Sequence, residues 1–231
     1  MKFENTEVWG FKHALRGMRN PKESWNNSDT FVAGNSGTDC ECDTCSHVDT
    51  VQIGTNDMKL AQSLICAGSE HRKFMRQIFV SVDITAPLYW WKEFDTYKVG
   101  TVANSTSTMH KIASTLITRE CFEMDDFENM DTNGSANCHS CWDLVIFACE
   151  GLRQHYNETK DKRYWKELIR LLPESWLQKR TVTMNYENLL NMCSKGQRRN
   201  HKLTEWSKSF IDWARSLPYA QKFIFIDEVT E

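Results

Sequence analysis

Hydrophobic positions along this chain follow two rhythms. Ile78, Val80, Val82 and Ile84 alternate with a mixed second face, which predicts a strand over 78–84. Elsewhere the spacing is helical. Leu60, Leu64 and Ile65 share one face of a predicted helix over 56–67, with Asn56 and Asp57 as caps and Gly68 as its stop. Ser69 caps a second predicted helix over 70–77, and Pro87 fits the first turn of a third over 88–95. Residues 142–158 form a long helix with Leu144, Phe147, Ala148 and Leu152 on one face. Helices over 164–172 (ended by Pro173), 185–193 and 203–217 complete the pattern, with a short extended piece at 181–184. Near the start, a short apolar segment in residues 5–19 ends at Asn20-Pro21. Residues 20–50 and 123–141 are polar and rich in Asn, Asp, Ser and Cys, and read as long loops. The result is a mixed α/β (α+β) class, one domain over 1–231 with insertions at about 20–50 and 123–141.

Composition supports a folded chain and narrows its partners. Of 231 residues, 40% are hydrophobic, and nine Trp and twelve Phe supply large core surfaces. A formal net charge of −3 argues against bulk electrostatic binding of nucleic acid. No run of about 18 apolar residues is present, so no membrane span is expected. The first twenty residues lack the apolar stretch of a secretory signal, and a cytoplasmic protein is the expectation.

Nine cysteines in such a chain suggest thiols or metal ligands before disulfides. Cys42 and Cys45 form one CxxC pair, and Cys138 and Cys141 another. Four thiolates at this spacing suit a structural zinc site that would staple the two loops together, with Cys40, His47 and His139 as spare ligands. Unrelated surface thiols and disulfides are the alternatives.

Between the predicted helix at 88–95 and Met109 the chain is hydroxyl-rich: Thr96, Thr101, Ser105, Thr106, Ser107 and Thr108. This stretch belongs to an ordered set. His71-Arg72-Lys73 precedes the predicted strand, Ala86-Pro87 follows it, and Leu88-Tyr89-Trp90-Trp91 comes next. Further on stand Leu172-Pro173, then Thr181 and Thr183, Asn185, Arg198-Arg199 and His201 to Glu205. The order and spacing resemble the flavin-dependent thymidylate synthases, whose signature reads Arg-His-Arg-x-x-Ser-x-x-x-x-Ser-x-Arg. Aligned without gaps, that signature falls on residues 96–108. Its Arg-His-Arg becomes Thr96-Tyr97-Lys98, its serines become Thr101 and Thr106, and its final Arg becomes Thr108.

The resemblance implies a one-carbon transfer to a pyrimidine deoxynucleotide (dUMP to dTMP) by a homotetramer with active sites between subunits. It also implies FAD as cofactor, with NADPH and methylenetetrahydrofolate as co-substrates. Carried over residue by residue, it places Ser105, Thr106 and Ser107 at the catalytic signature. His71, Lys98, Thr101, Asn185 and His201 fall at cofactor positions, and Thr108, Arg198 and Arg199 at substrate positions. Trp90 and Trp91 offer planar ligand walls, although neighbours on a helix diverge by about 100° and one is expected in the core. Each residue also has a structural alternative. The hydroxyls can satisfy their own backbone, Asn185 can cap a helix, and the Arg and Lys residues can be solvated surface. A Thr hydroxyl cannot replace a bidentate Arg–phosphate contact, so either other bases such as Arg16, Arg19, Lys92 or Arg180 compensate or the ligand has changed. Two further readings are a related pyrimidine-nucleotide-modifying enzyme with altered cofactor use and a non-catalytic nucleotide-binding protein.

Overall fold

A computed structural model of the chain describes residues 1–33, 50–124 and 138–228. In chain order it contains β1 (Lys2–Trp9), α1 (Phe11–Met18), β2 (Phe31–Ala33), β3 (Thr50–Gln52), α2 (Thr55–Cys66), β4 (Phe79–Pro87), α3 (Leu88–Phe94), β5 (Val102–Ser105) and α4 (Thr108–Lys111). It continues with α5 (Cys138–Thr159), α6 (Lys162–Leu171), β6 (Leu177–Asn185), α7 (Tyr186–Met192), α8 (Ile211–Arg215) and α9 (Ala220–Phe223). A four-stranded sheet has the order β1-β4-β6-β5. A separate two-stranded ladder pairs β2 and β3 antiparallel, with Phe31 opposite Gln52 and Val32 opposite Val51. The mixed α/β class expected from the sequence is the one observed. Among the described residues, no helix is long and apolar enough to cross a membrane.

The chain divides into two compact units. The first holds Met1–Asn5, Val82–Lys98 and Ala103–Val182. The second holds Thr6–Ser81, Val99–Val102 and Thr183–Glu231.

In the first unit, α3 buries Trp90, Trp91 and Phe94. Trp90 stacks on Phe94 at 5.2 Å, while the Trp91 indole N–H donates to the Gln178 carbonyl at 3.0 Å. Both indoles are therefore core, and the expectation that one of them faces a ligand is corrected. The second cluster of this unit gathers Ile112, Ile117, Phe122, Cys149, Leu168 and Trp176. Helix α5 meets it with Trp142, Val145, Ile146 and Leu152. The sequence pointed to Leu144, Phe147 and Ala148 instead. Leu144 is 67% and Phe147 78% exposed. Both stripes have the helical period; α6 and the 112–122 segment cover the other one. Cys138 and Cys141, expected in a loop, fall in the first turn of α5.

In the second unit, Phe11 packs edge-on against Tyr186 and Tyr219, and Phe74 against Phe223. The Tyr186 hydroxyl donates to the Pro218 carbonyl at 2.6 Å, and burial pushes its pKa up. The helix expected over 70–77 is a short 3-10 turn, Lys73–Gln77. Phe74, Met75 and Ile78 must all be buried immediately before β4 begins, which leaves too few residues to nucleate a full helix. The single helix expected over 203–217 begins as a π-helical stretch, Glu205–Phe210, and continues as α8. Trp206, Phe210, Ile211 and Ala214 all face the core through this widened turn. The alternation expected in β4 is observed, with Ile78, Val80, Val82 and Ile84 at 0–1% exposure and Ala86 extending it.

Candidate functional site

The sequence around α2 builds a concave surface in the second unit. Helix α2 has no side-chain cap of its own; Gly54 is its N-cap residue. The Asp29 carboxylate accepts instead from the backbone N–H groups of Asn56 (2.8 Å) and Asp57 (3.0 Å). A Cβ at Gly54 would collide with that carboxylate, so only glycine permits the approach. The expected Asn56 and Asp57 caps are thus corrected: the capping oxygen comes from Asp29. Asp57 points inward and is fully buried. It accepts from Arg19 Nε at 2.6 Å, from the Ser28 hydroxyl at 2.6 Å and from the Thr30 N–H at 3.1 Å.

Electrostatics follows from these bonds. Burial alone would raise the pKa of Asp57, but the Ser28, Thr30 and Arg19 hydrogen bonds outweigh it and hold the carboxyl below its ordinary value. Asp29 is held low chiefly by the Asn56 N–H. The segment from Arg19 to Thr30 is thereby pinned against α2. Between them lies a cleft of about 1240 Å³. Its wall carries Lys22, Lys59 and Lys73, the amides of Asn20, Asn26 and Asn27, and a patch formed by Met18, Leu60, Leu64 and Phe74. His71, exposed in the turn before β4, lines the same cleft.

The start of α7 organises a second part of this unit. Asn185 and Asn188 form a reciprocal capping box. Asn188 also donates to the Val99 carbonyl at 2.7 Å. Gly100 has φ +78°, and an added Cβ there would stand 2.9 Å from Asn185 Nδ2. The segment carrying Thr101 is therefore seated on the cap of α7. One turn along, Glu187 accepts from both Arg72 and Arg76, which fixes the residues beside His71 to the same helix start. Burial opposes the ionisation of Glu187, but the two guanidiniums keep its pKa low. The structure thus brings the neighbours of His71 and Thr101 to the α7 cap that Asn185 begins.

The remaining residues singled out by sequence have identifiable surroundings. Arg199 bonds Asp227 through both terminal nitrogens at 2.9 Å, approaches Glu228 at 3.1 Å and donates to the Cys193 carbonyl. Arg198 lies over the Trp206 ring at 4.5 Å. His201 Nδ1 accepts from the Leu203 N–H at 3.1 Å. In the first unit, Lys98 and Ser105 are exposed. Thr106 gives both its N–H and its hydroxyl to the Lys179 carbonyl. The Ser107 oxygen caps α4 by accepting from the His110 N–H, and Thr108 accepts from Gln178 at 3.4 Å.

Three of the bases expected to compensate are engaged within the fold. Arg19 is 5% exposed against Asp57, Lys92 pairs with Glu174, and Arg180 pairs with Asp95 while covering Trp91. Cys42, Cys45, Cys40, His47 and the side chains of Cys138 and His139 lie outside the described residues; Cys141 is exposed. Sequence reading missed Asp29, Asp57, Lys22 and Lys59. Their signal was weak, because acid and base lie 38 residues apart in the Arg19–Asp57 pair.

No family model and no curated protein matches the sequence. Solved structures match in fold. The flavin-dependent thymidylate synthase ThyX of Helicobacter pylori, complexed with FAD and dUMP, superposes with a TM-score of 0.64 over 98% of this chain and 99% of that one, at 16% identity. This chain has the fold of the flavin-dependent thymidylate synthases. A second Helicobacter pylori ThyX structure with FAD and dUMP gives 0.61 at 15% identity, covering 97% of each chain. The UMP/dUMP methylase PolB of Streptomyces cacaoi, bound with 5-Br dUMP, gives 0.57 at 14% identity, covering 98% of this chain and 94% of that one. The likeness in fold covers 97–98% of this chain in each of the three comparisons.

Proposed function

We propose that this chain is an enzyme that modifies a pyrimidine deoxynucleotide with the help of a bound flavin, most specifically by transferring a one-carbon unit to dUMP. The observation that carries this reading is the full-length likeness to ThyX structures that hold FAD and dUMP. The cleft beside His71 fits a flavin dinucleotide in size and character. Three lysines are set to meet the diphosphate, amides can meet polar ring edges, and the patch of Leu60, Leu64 and Phe74 offers an apolar wall. When bound, the flavin supplies hydride chemistry. The protein's part is to hold it: Lys59 and Lys73 neutralise phosphate, His71 borders the ring system, and the Arg19–Asp57 pair keeps the 19–30 wall in place.

In this reading Thr101, Asn185 and His201 of the second unit complete the cofactor surroundings. Ser105 presents its exposed hydroxyl to the nucleotide, and Thr106, Ser107 and Thr108 hold that stretch in place through Lys179, His110 and Gln178. Arg198 meets its phosphate with the edge of a guanidinium that is stacked on Trp206, and Arg199 fixes that segment through Asp227. NADPH and methylenetetrahydrofolate are the proposed co-substrates, the homotetramer is the proposed assembly, and a zinc site is proposed on Cys42 and Cys45 together with Cys138 and Cys141 at the start of α5. The test is titration of the purified chain with FAD, followed by assay of dUMP-dependent NADPH oxidation. Binding together with dUMP-dependent turnover supports the reading; absence of both overturns it.

A second reading, modification of a different pyrimidine nucleotide, is favoured by the likeness to the UMP/dUMP methylase. Mass analysis of products from UMP, dUMP and dCMP separates the two. A non-catalytic nucleotide binder is favoured by Thr96, whose hydroxyl donates to the Glu93 carbonyl where the family carries a phosphate-binding Arg. Such a protein binds nucleotide with no turnover at all.

A further inference from the structure

The turn before β4 has two faces. Glu70, His71, Lys73, Phe74 and Gln77 line the cleft. Arg72, Met75 and Arg76 are turned away from it. Met75 is fully buried, and both arginines reach Glu187 in the first turn of α7. The backbone alone holds this turn weakly. Its 3-10 part, Lys73–Gln77, is five residues long, and such turns have poorer hydrogen-bond geometry than an α-helix.

Side chains supply the missing constraint. Arg72 donates from Nε to Glu187 Oε1 at 3.1 Å and also donates to Asn191 Oδ1 at 3.2 Å. Arg76 donates to both oxygens of the same carboxylate and to the Ser69 carbonyl at 3.5 Å. One acid therefore grips the turn at Arg72 and Arg76 and, through Arg76, at Ser69. The anchor is itself fixed. Glu187 is 7% exposed and lies inside the reciprocal cap that Asn185 and Asn188 make at the start of α7. Apolar contacts would stabilise a buried position as well as an ion pair does. What two forked guanidiniums on one carboxylate add is direction, because each fork bonds the acid in a preferred geometry.

We propose that Glu187 is a positioning residue for the cleft: from α7 it sets the two-faced turn so that His71 and Lys73 meet the bound flavin. Glu187 does not line the cleft, so it acts through the turn. This role rests on the reading of the cleft as the flavin site.

The test is titration of the full chain with FAD, using variants that separate position from charge. Glu187→Gln removes a negative charge from behind an anion site, and charge alone would tighten binding. The proposal expects the opposite, a weakening of about 10-fold or more, the scale on which supporting partners of a site act. Glu187→Asp and Arg76→Lys keep every charge and disturb the forked contact. Both are expected to weaken binding and, at saturating FAD, to move the absorbance band of the bound flavin toward that of free flavin. Arg76 is half-exposed, and Arg76→Lys leaves Glu187 paired with Arg72, so this variant should melt as cooperatively as the wild type. In a His71→Ala/Lys73→Ala background, Glu187→Asp should change FAD affinity by less than about 2-fold, because the side chains through which it acts are gone. A loss in that background as large as in the wild type overturns the proposal, since it marks a general loss of structure. So does FAD binding unchanged by Glu187→Asp and Arg76→Lys, or tightened by Glu187→Gln. A wild-type chain that binds no FAD overturns the reading of the cleft and this role with it.

Discussion

Two stretches of this chain are equipped to face an anion, and they are built differently. The hydroxyl-rich stretch at 101–108, which the sequence resemblance sets against an Arg-rich signature, has much of its polarity turned inward. Thr106 serves the Lys179 carbonyl and Ser107 caps α4. The cleft in the second unit has no counterpart in the signature. There the buried polar work is done underneath by Arg19, Asp57, Ser28 and Asp29. Lys22, Lys59 and Lys73 stand on the wall, the last of them 3.6 Å from Glu70. The difference teaches that hydroxyls used as local caps contribute order, whereas lysines carried above a buried ion pair contribute charge. A search for the anion site should follow the second pattern.

The largest effect should come from removing the foundation of the cleft. Arg19→Ala leaves the Asp57 carboxylate buried without its cation and is expected to cost about 3–5 kcal/mol in urea unfolding. Replacing both partners by apolar residues should recover much of that loss. If Arg19→Ala costs under about 1 kcal/mol, the pinned-wall account fails.

Gly54→Ala should follow, at about 1–3 kcal/mol, because its Cβ would displace the Asp29 carboxylate from α2. A melting temperature unchanged by this substitution would show that Asp29 does not need the close approach.

The functional contrast is tested next. Lys59→Glu with Lys73→Glu should weaken FAD binding by about 10-fold or more, the loss of at least one charge-assisted contact. Thr106→Ala should leave binding within a few-fold and cost about 1 kcal/mol of stability. The reverse ranking, read by flavin titration and denaturation of the same variants, would move the anion site to the hydroxyl stretch.

Acid should act more gradually. Glu150 is lowered to about 2, chiefly by the Arg153 side chain, and Glu228 to about 2, chiefly by Arg215. Asp29 and Asp57 are also lowered. Groups held below their unfolded values stabilise fully above about pH 4.5. That stability is lost as pH falls toward about 2. The urea midpoint should be flat from pH 7 to 5 and fall below pH 4; a flat midpoint down to pH 3 would contradict these pairings.

What the sequence made legible was local. Alternation in β4, the Pro173 stop after α6 and the Asn185 cap of α7 are each decided by a few neighbouring residues. The buried face of α5 was not legible, since two stripes of equal period compete and only the surrounding chain chooses between them. Nor was the Asp29 cap, which lies 27 residues before Asn56. The candidate site suffered most. Arg19, Lys92 and Arg180 looked available as anion ligands, and each has an acidic partner elsewhere in the chain that periodicity cannot reveal.

The Asp29 bridge to α2 also bears on the order in which this unit comes apart. The carboxylate fastens the chain before β2 to the start of α2, which follows β3. It therefore spans the short ladder that pairs Phe31 with Gln52, Val32 with Val51 and Ala33 with Thr50. Losing that ladder leaves the cap of α2 in place, so the amide protons of α2 should outlast those of β2 and β3 in hydrogen exchange.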